Sequence, residues 1–506
     1  MVGAAAKLPV VELLASFSLA TDLGVGRPLG HGLSTCRVAV DLATAMGLTE
    51  DQLRHTQQLT LIRFLGCTTD AHETALMAGG DEIGFMSGFA PSHFGGTTEM
   101  AVALARNVGK GQSLGRRLRL ITGASIGPDG GGSGLAGHCE VGARLADRLG
   151  LDEPVITGLR FAYERWDGKG PFGLRGDSVP LVVRIASVAR DADMLARLGQ
   201  DVDAVLGKRR GKSHDPEVID AYFDVAPQHK EVDWEEVMAL EPEPRAFLAD
   251  VESAFTAMAD FTDIKSPWTR GHSRRVAEIA ENAGALAGIG PERSQHLRHA
   301  GLIHDLGRVG VENGIWDHPG TLGVADWEKV RLHPYLTGRI LDRCLSLTDL
   351  TLLASSHHER LDRSGYHRQI GGPEMTEEMR VLAAADVAVA LTSERPHRPA
   401  LSLDDARRIL EEEIAAGSLD RSAVRHVLEA HGDARPIAVS NPSGLTDREV
   451  EVLQMIARGR TNREVGEGLF ISPKTVGRHV ENIYAKIGVS TRAGATVFAM
   501  ENGLIY

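Results

Sequence analysis

An internal repeat constrains this chain more than any other feature, because a duplicated segment folds twice into the same supersecondary unit. Residues 8–200 and 249–395 match each other. Gly30-His31 aligns with Gly271-His272, and Leu61-Ile62-Arg63-Phe64-Leu65-Gly66 with Leu302-Ile303-His304-Asp305-Leu306-Gly307. The gap from the histidine to the later motif is 32 residues in both copies. His138, with Gly142 and Arg144, answers His333, with Gly338 and Arg339, more loosely. From there 24 residues lead to Ala162-Tyr163-Glu164-Arg165 in copy one, and the same 24 to His357-His358-Glu359-Arg360 in copy two. Equal gaps at two places mark a duplication. Arg63 and His138 are 75 residues apart, against 29 for His304 and His333, so copy one carries an insert. Its Gly-rich stretch from Gly123 to Gly137 reads as a mobile loop, with phosphate binding as a weak alternative.

The repeated segments carry helical periodicity. Val276, Ile279 and Ala283 follow a 3.6-residue pattern, and Leu297 with Leu302-Ile303 continues it in the next helix. Strand-like alternation is scarce, so the fold class expected is all-α: two tandem helical bundles and a smaller four-helix domain. At 506 residues the chain is too long for one core. Pro227, Pro242 and Pro244 break the segment after copy one, and Pro436 and Pro442 bracket a second linker. The expected domains are 1–228, 229–435 and 436–506.

Composition narrows the function classes. Hydrophobic residues make up 42% and charged residues 24%, the balance of a globular protein. No apolar run approaches the roughly 20 residues that span a bilayer, and the N-terminus lacks a signal-peptide pattern, so a cytoplasmic protein without membrane contact is expected. The four cysteines form no C-x-x-C pair and read as buried free thiols. A net charge of −13 excludes nonspecific coating of nucleic acid by the whole body; any such contact is local.

Copy two concentrates metal-ligand chemistry. His272, His304-Asp305, His333, His357-His358 and Asp386 are imidazoles and carboxylates set in apolar helical sequence. Such groups are costly to bury unless a partner such as a metal compensates them. Three stretches carry a resemblance: His-Asp-Leu-Gly-Arg-Val-Gly-Val from His304, His-His-Glu-Arg-Leu-Asp from His357, and Ala-Ala-Asp-Val-Ala-Val-Ala-Leu-Thr-Ser-Glu-Arg-Pro from Ala384. Residues 249–430 resemble an HD-GYP domain, a helical metal-dependent phosphohydrolase family whose known members hydrolyse cyclic di-GMP. The resemblance implies that His272, His304, Asp305 and Asp386 hold one metal, and that Asp305, His333, His357 and His358 complete a second. Two divalent transition metals follow, iron or manganese rather than zinc, with Asp305 and Arg308 as the catalytic pair.

Three departures from the family pattern matter. Its lysine after His-Asp is Arg308, which contacts phosphate bidentately rather than as a point charge. The glutamate of three-metal members is Trp268, which favours two metals. The Asp-Gly-x-Gly-Tyr-Pro loop reads Asp362-Arg363-Ser364-Gly365-Tyr366-His367, which puts the substrate in doubt more than the metals.

Copy one has Arg63-Phe64, Ala162-Tyr163 and Arg190 where copy two has His-Asp, His-His and Asp386. With only His31 and His138 left, it is not a metal site. Its Glu164-Arg165-Trp166-Asp167-Gly168-Lys169-Gly170-Pro171 stays nearer the family loop; a structural turn is the favoured reading. The sharper alternative is a degenerate copy that pairs with copy two or binds a regulatory ligand, with Arg63 and Arg190 placing positive charge in the old pocket.

From Leu445 the pattern changes to short helices. Thr446 with Glu449 and Thr461 with Glu464 form capping boxes, Ser472-Pro473 opens a third helix, Ser490 caps a fourth and Gly503 ends it. In the third helix Val476, Val480, Ile483 and Ile487 make an apolar stripe, while Lys474, Thr475, Arg478, His479 and Asn482 take the other face. A helix so arranged suits the major groove, and Thr461 and Asn462 at a helix N-terminus suit phosphates. Leu445 to Leu453, Gly459-Arg460-Thr461-Asn462, Ile471 to Val476 and Lys486 to Val489 closely resemble the LuxR-type helix-turn-helix. That likeness implies double-stranded DNA as partner and a homodimer reading an inverted repeat.

The combined expectation is a transcriptional regulator joining a di-metal phosphohydrolase, acting on a nucleotide or cyclic dinucleotide, to sequence-specific DNA binding. A catalytically silent sensor of a nucleotide or metal is the alternative. A third, weaker reading is di-metal oxygen chemistry, since some helical HD relatives are oxygenases.

Overall fold

The computed structural model describes residues 8–89, positions 102, 103, 106–109, 115 and 117, then 132–435, 442–502 and 504. These residues form helices joined by turns and isolated bridges, without a named strand among them. By its contacts the chain forms two compact units. One comprises Met1–Ala277, Arg298–Ser355 and Glu394–Pro399; the other comprises Glu278–Leu297, Ser356–Ser393 and Ala400–Tyr506. The divisions after Ala277 and Leu297 fall inside the continuous helices His272–Leu286 and Pro291–Ile303.

The duplication is legible in the first unit. Helices Val10–Gly24 and His31–Ala45 recur as Val251–Asp263 and His272–Leu286, each pair starting 241 residues apart. Val10–Gly24 is buried almost all round, Ser16, Ser18 and Thr21 included. That is the signature of a central helix rather than a surface one. Phe17 meets Phe261 of the corresponding helix edge-on, ring centres 5.6 Å apart. Copy one closes around His31–Ala45 and Leu181–Arg197, whose Val38, Leu42, Ile185 and Val188 share a core with Leu206, Val218, Ile219 and Tyr222. The segment after residue 200 therefore packs as part of copy one.

One close approach occurs in both copies. A methyl group on Gly66 would collide with the backbone carbonyl of His138, and one on Gly307 with that of His333. Only glycine lets the turn after the second motif lie this near the next helix. The loose match of His138 to His333 thus has a steric basis. Of the Gly-rich stretch, residues 123–131 lie outside the described residues. Gly132 onward is not loop but the start of helix Gly132–Arg148, a correction to the sequence expectation.

In the second unit, Glu377–Leu391 packs on Arg421–Ala430 and Leu403–Ala416. The tail has its own core of Leu445, Val452, Leu453, Ile456, Val465, Val476 and Ile483. No helix among the described residues is long and apolar enough to cross a membrane.

Candidate metal centre and nucleic-acid interface

Asp305 stands at the middle of the copy-two cluster. It follows helix Pro291–Ile303 and opens the short turn Leu306–Gly310, where the glycine approach brings helix His333–Leu341 alongside. Its carboxylate lies 3.6 Å from His272 Nε2, 3.6 Å from His304 Nε2 and 3.4 Å from His333 Nε2. All four residues are buried. Burial by itself raises a carboxyl, but Arg308 and the three imidazoles outweigh it and hold Asp305 well below its ordinary range.

The imidazoles are oriented by the backbone. His304 Nδ1 lies 2.8 Å from the carbonyl of Gly301, and His333 Nδ1 lies 2.6 Å from that of Val330. A carbonyl only accepts, so Nδ1 carries a proton in each, and in the neutral ring it is Nε2, on the side of Asp305, that has the lone pair. This is the outer arrangement that metal-binding histidines use. Within the second unit, His357 and His358 have ring centres 4.3 Å apart, and Asp386 lies 3.8 Å from His358 Nδ1.

Each unit gathers potential ligands within itself: His272, His304, Asp305 and His333 in the first, and His357, His358 and Asp386 in the second. The donors are imidazole and carboxylate without thiolate, a set that suits iron, manganese or zinc. No comparable group forms in copy one among the described residues. There His31 Nδ1 pairs with Asp193 at 2.6 Å and His138 Nε2 with Asp70 at 2.6 Å.

Arg308 reaches back to Asp305, Nη1 to Oδ2 2.8 Å, and its guanidinium lies 3.9 Å from the centre of the Trp316 ring. A cation over an indole face is attracted by the ring quadrupole, so Trp316 fixes the arginine's plane. Trp268, half-buried, donates its backbone N–H to Ser266 Oγ at 3.3 Å.

The loop after His358 is fastened by Glu359, which accepts from the backbone N–H of Arg368 at 2.7 Å and Ile370 at 3.1 Å. Glu164 does the same in copy one with Phe172 and Leu174, at 2.5 and 2.7 Å. The ring of Tyr366 lies 4.7 Å from that of His358, and burial pushes His367 down to about 4.

Sequence reasoning missed Asp263 and Trp316. Asp263 accepts from Ser273 N at 2.9 Å and Ser273 Oγ at 2.8 Å, fixing the start of the helix that carries His272. Asp22 accepts from Gly32 N at 3.2 Å in the same way in copy one, and from Gly30 N at 2.9 Å besides. Burial raises both carboxyls to about 7. The signal was available, since the offset that aligns His31 with His272 also aligns Asp22 with Asp263. Trp316 has no such signal.

In the tail both capping boxes form, Thr446 with Glu449 and Thr461 with Glu464. Ser472 caps Pro473–Ile487. The fourth helix, Arg492–Glu501, is capped by Thr491, whose Oγ1 accepts from Gly494 N at 3.0 Å, not by the expected Ser490. Ser490 lies one residue too early to reach the third N–H. Gly503 lies outside the described residues. Val476 and Ile483 are buried in the tail's core and Val480 and Ile487 partly so, while Thr461, Lys474, Thr475, Arg478 and Asn482 are exposed and Asn462 and His479 half-buried.

Comparison with known proteins agrees with this geometry. Residues 256–423 match the HD domain family, and residues 443–499 match the family of bacterial regulatory proteins, luxR family. Over 423 residues the chain is 30% identical to the 3'3'-cGAMP-specific phosphodiesterase 3 of Vibrio cholerae serotype O1, covering 80% of this chain and 91% of that one. The chain belongs to the HD-GYP phosphodiesterase family. A crystal structure of a cyclic GMP-AMP specific phosphodiesterase from V. cholerae superposes on this HD-GYP protein with a TM-score of 0.59 at 26% identity, covering 84% of this chain and 98% of that one. The tail is 52% identical over 61 residues to the transcriptional regulatory protein LiaR of Bacillus subtilis (strain 168), 12% of this chain and 29% of that one. The molecule therefore joins a phosphodiesterase-type HD body to a LuxR-type DNA-binding domain, as expected from its residues.

Proposed function

We propose that this HD-GYP protein is a cyclic-dinucleotide phosphodiesterase whose DNA binding is coupled to the same ligand. The observation that carries the reading is the Asp305-centred cluster, with its lone-pair imidazole nitrogens oriented by backbone carbonyls. His272, His304 and Asp386 are assigned to one metal, and His333, His357 and His358 to the other, with Asp305 shared. Two divalent transition metals, iron or manganese rather than zinc, would supply Lewis acidity toward a phosphate oxygen and acidify a water. Asp305, held anionic, would help to hold both metals and to orient an attacking water by accepting a hydrogen bond from it. Arg308, its plane fixed by Trp316, donates to a phosphate oxygen as charge develops there. Tyr366 offers a ring beside His358 on which a base can lie.

The domain limits 1–228, 229–435 and 436–506 and a cytoplasmic homodimer belong to this reading. So does major-groove contact by Lys474, Thr475, Arg478, His479 and Asn482, with Thr461 and Asn462 on the backbone. 3'3'-cGAMP is the first substrate to test, because the relative that spans most of this chain acts on it. Manganese- or iron-loaded protein is expected to linearise 3'3'-cGAMP or cyclic di-GMP, with activity and bound metal both lost in His304→Ala. Tight ligand binding without turnover in fully metal-loaded protein would overturn the enzyme reading and favour a sensor. The eroded loop, with His367 where the family has proline, is the specific observation on that side. For the tail, Arg478→Ala is expected to abolish the specific shift of a promoter fragment.

A further inference from the structure

The second motif of copy one, which lost its metal ligands, ends in a pocket of a different chemistry. It is lined by Arg63, Phe64, Tyr163, Ser187, Arg190 and Asp191 together with Glu164, Arg165 and Ser213, and its cavity volume is about 30 Å³. Arg63 is only 9% exposed and Arg190 only 7%. Arg63 Nη2 donates to Ser187 Oγ at 3.1 Å, and its guanidinium lies 5.9 Å from the Tyr163 ring centre. Its Nη1 is buried without a hydrogen-bond partner. Arg27, also buried, lies 5.8 Å from the Phe64 ring centre, with Nε and Nη1 likewise unpartnered.

Charge does not balance in this pocket. Asp191 is shared among Arg190, Arg209 and His214. Asp167 is engaged by Arg165, and Glu164 is turned to the backbone of Phe172 and Leu174. Asp22 sits near Arg27, but burial raises its carboxyl to about 7. Arg63 is therefore left without a carboxylate of its own. Burial and mutual repulsion with Arg190 depress the guanidinium groups of Arg63 and Arg27. Buried unpaired cations are costly, and a fold keeps them where something else supplies the counter-charge.

We propose that the copy-one pocket binds a phosphate group, with the guanidinium groups of Arg63 and Arg190 as its clamp and the hydroxyls of Ser187 and Tyr163 beside it. The unpaired charge of Arg63, beside an Arg190 that shares Asp191 with two other groups, favours an anion, and the planar arginine fork suits tetrahedral oxyanions. The pocket lies in copy one and takes its ligand without metals. It therefore stands or falls independently of hydrolysis at copy two.

The test is thermal stabilisation of the full chain by inorganic phosphate, against chloride at equal ionic strength, with a 5'-mononucleotide in a second arm. Wild type is expected to show a saturable rise in Tm that persists in His304→Ala and weakens at least tenfold in apparent affinity in Arg63→Met. Arg63→Met is also expected to be no less stable than wild type without phosphate, since it removes an uncompensated buried charge. Should Arg63→Met fail to fold, Ser187→Ala is read instead, with at least threefold weakening expected. A phosphate effect equal in Arg63→Met and wild type, an effect lost in His304→Ala instead, or no effect at all would overturn the proposal. Saturation by the mononucleotide at lower concentration than by phosphate would identify a phosphomonoester as the source; the reverse order would identify the free ion.

Discussion

At the residue scale, single side chains set the chemistry that each copy can perform. Arg308 carries its charge toward the site only because Asp305 holds one edge and Trp316 its face. Trp316→Ala should leave metal content unchanged and raise KM for a cyclic dinucleotide about fivefold, the equivalent of roughly 1 kcal/mol of cation–π interaction. Steady-state kinetics with metal analysis checks this, and an unchanged KM would refute the positioning role. Asp22 makes a different kind of prediction. Its carboxyl sits at about 7 in the folded chain, against ~3.9 in an unfolded one. The folded state thus holds the extra proton, and the stability this contributes is complete below about pH 4 and lost as pH rises through about 7. Melting temperatures from pH 5 to 8 should fall more steeply in wild type than in Asp22→Asn. Parallel profiles would show that this carboxyl is not the source.

At the element scale, helix starts were the most legible part of the sequence, because a cap is a contact between residues three apart and needs no tertiary information. Thr446, Thr461 and Ser472 all cap as read. Ser490 failed because Ser and Thr stand side by side before Arg492, and propensity alone does not decide between neighbours. Thr446→Ala should cost the tail about 1 kcal/mol, since it orphans the N–H of Glu449 and releases the carboxylate that also binds Lys486 at 2.6 Å. Urea unfolding followed on the tail's signal measures it; a change below a few tenths would mean that water replaces the cap. The Gly-rich stretch misled for the opposite reason. Glycine lowers helix propensity without forbidding a helix, and Gly132–Arg148 forms despite it.

At the scale of the whole molecule, the two copies share buried polar contacts as well as apolar ones. Lys265, from copy two, is buried against Glu82 of copy one at 2.9 Å and donates to the Val311 carbonyl at 2.7 Å. Both oxygens of Glu82 accept from Asn313 N at 3.0 Å. Removing one member of a buried pair strands the other, so Lys265→Met should cost about 3–5 kcal/mol. Adding Glu82→Gln, which keeps an acceptor for Asn313 without the charge, should recover most of that loss in the same thermal melt. If the double variant is no better than the single one, the ion pair does not hold the copies together.

The sequence by itself determined the duplication, the all-α class, the loss of ligands in copy one and the LuxR-type DNA-binding tail. These rest on spacing, periodicity and local caps, which the chain carries regardless of how its parts pack. Tertiary structure alone decided that Trp316 lies on Arg308 and that backbone carbonyls turn the imidazole nitrogens of His304 and His333 toward Asp305. It also decided that Arg63 and Arg190, far apart in sequence, share one buried pocket. Each of these depends on which faces of separate helices meet, and a glycine at 66 or 307 permits that meeting without announcing its partner.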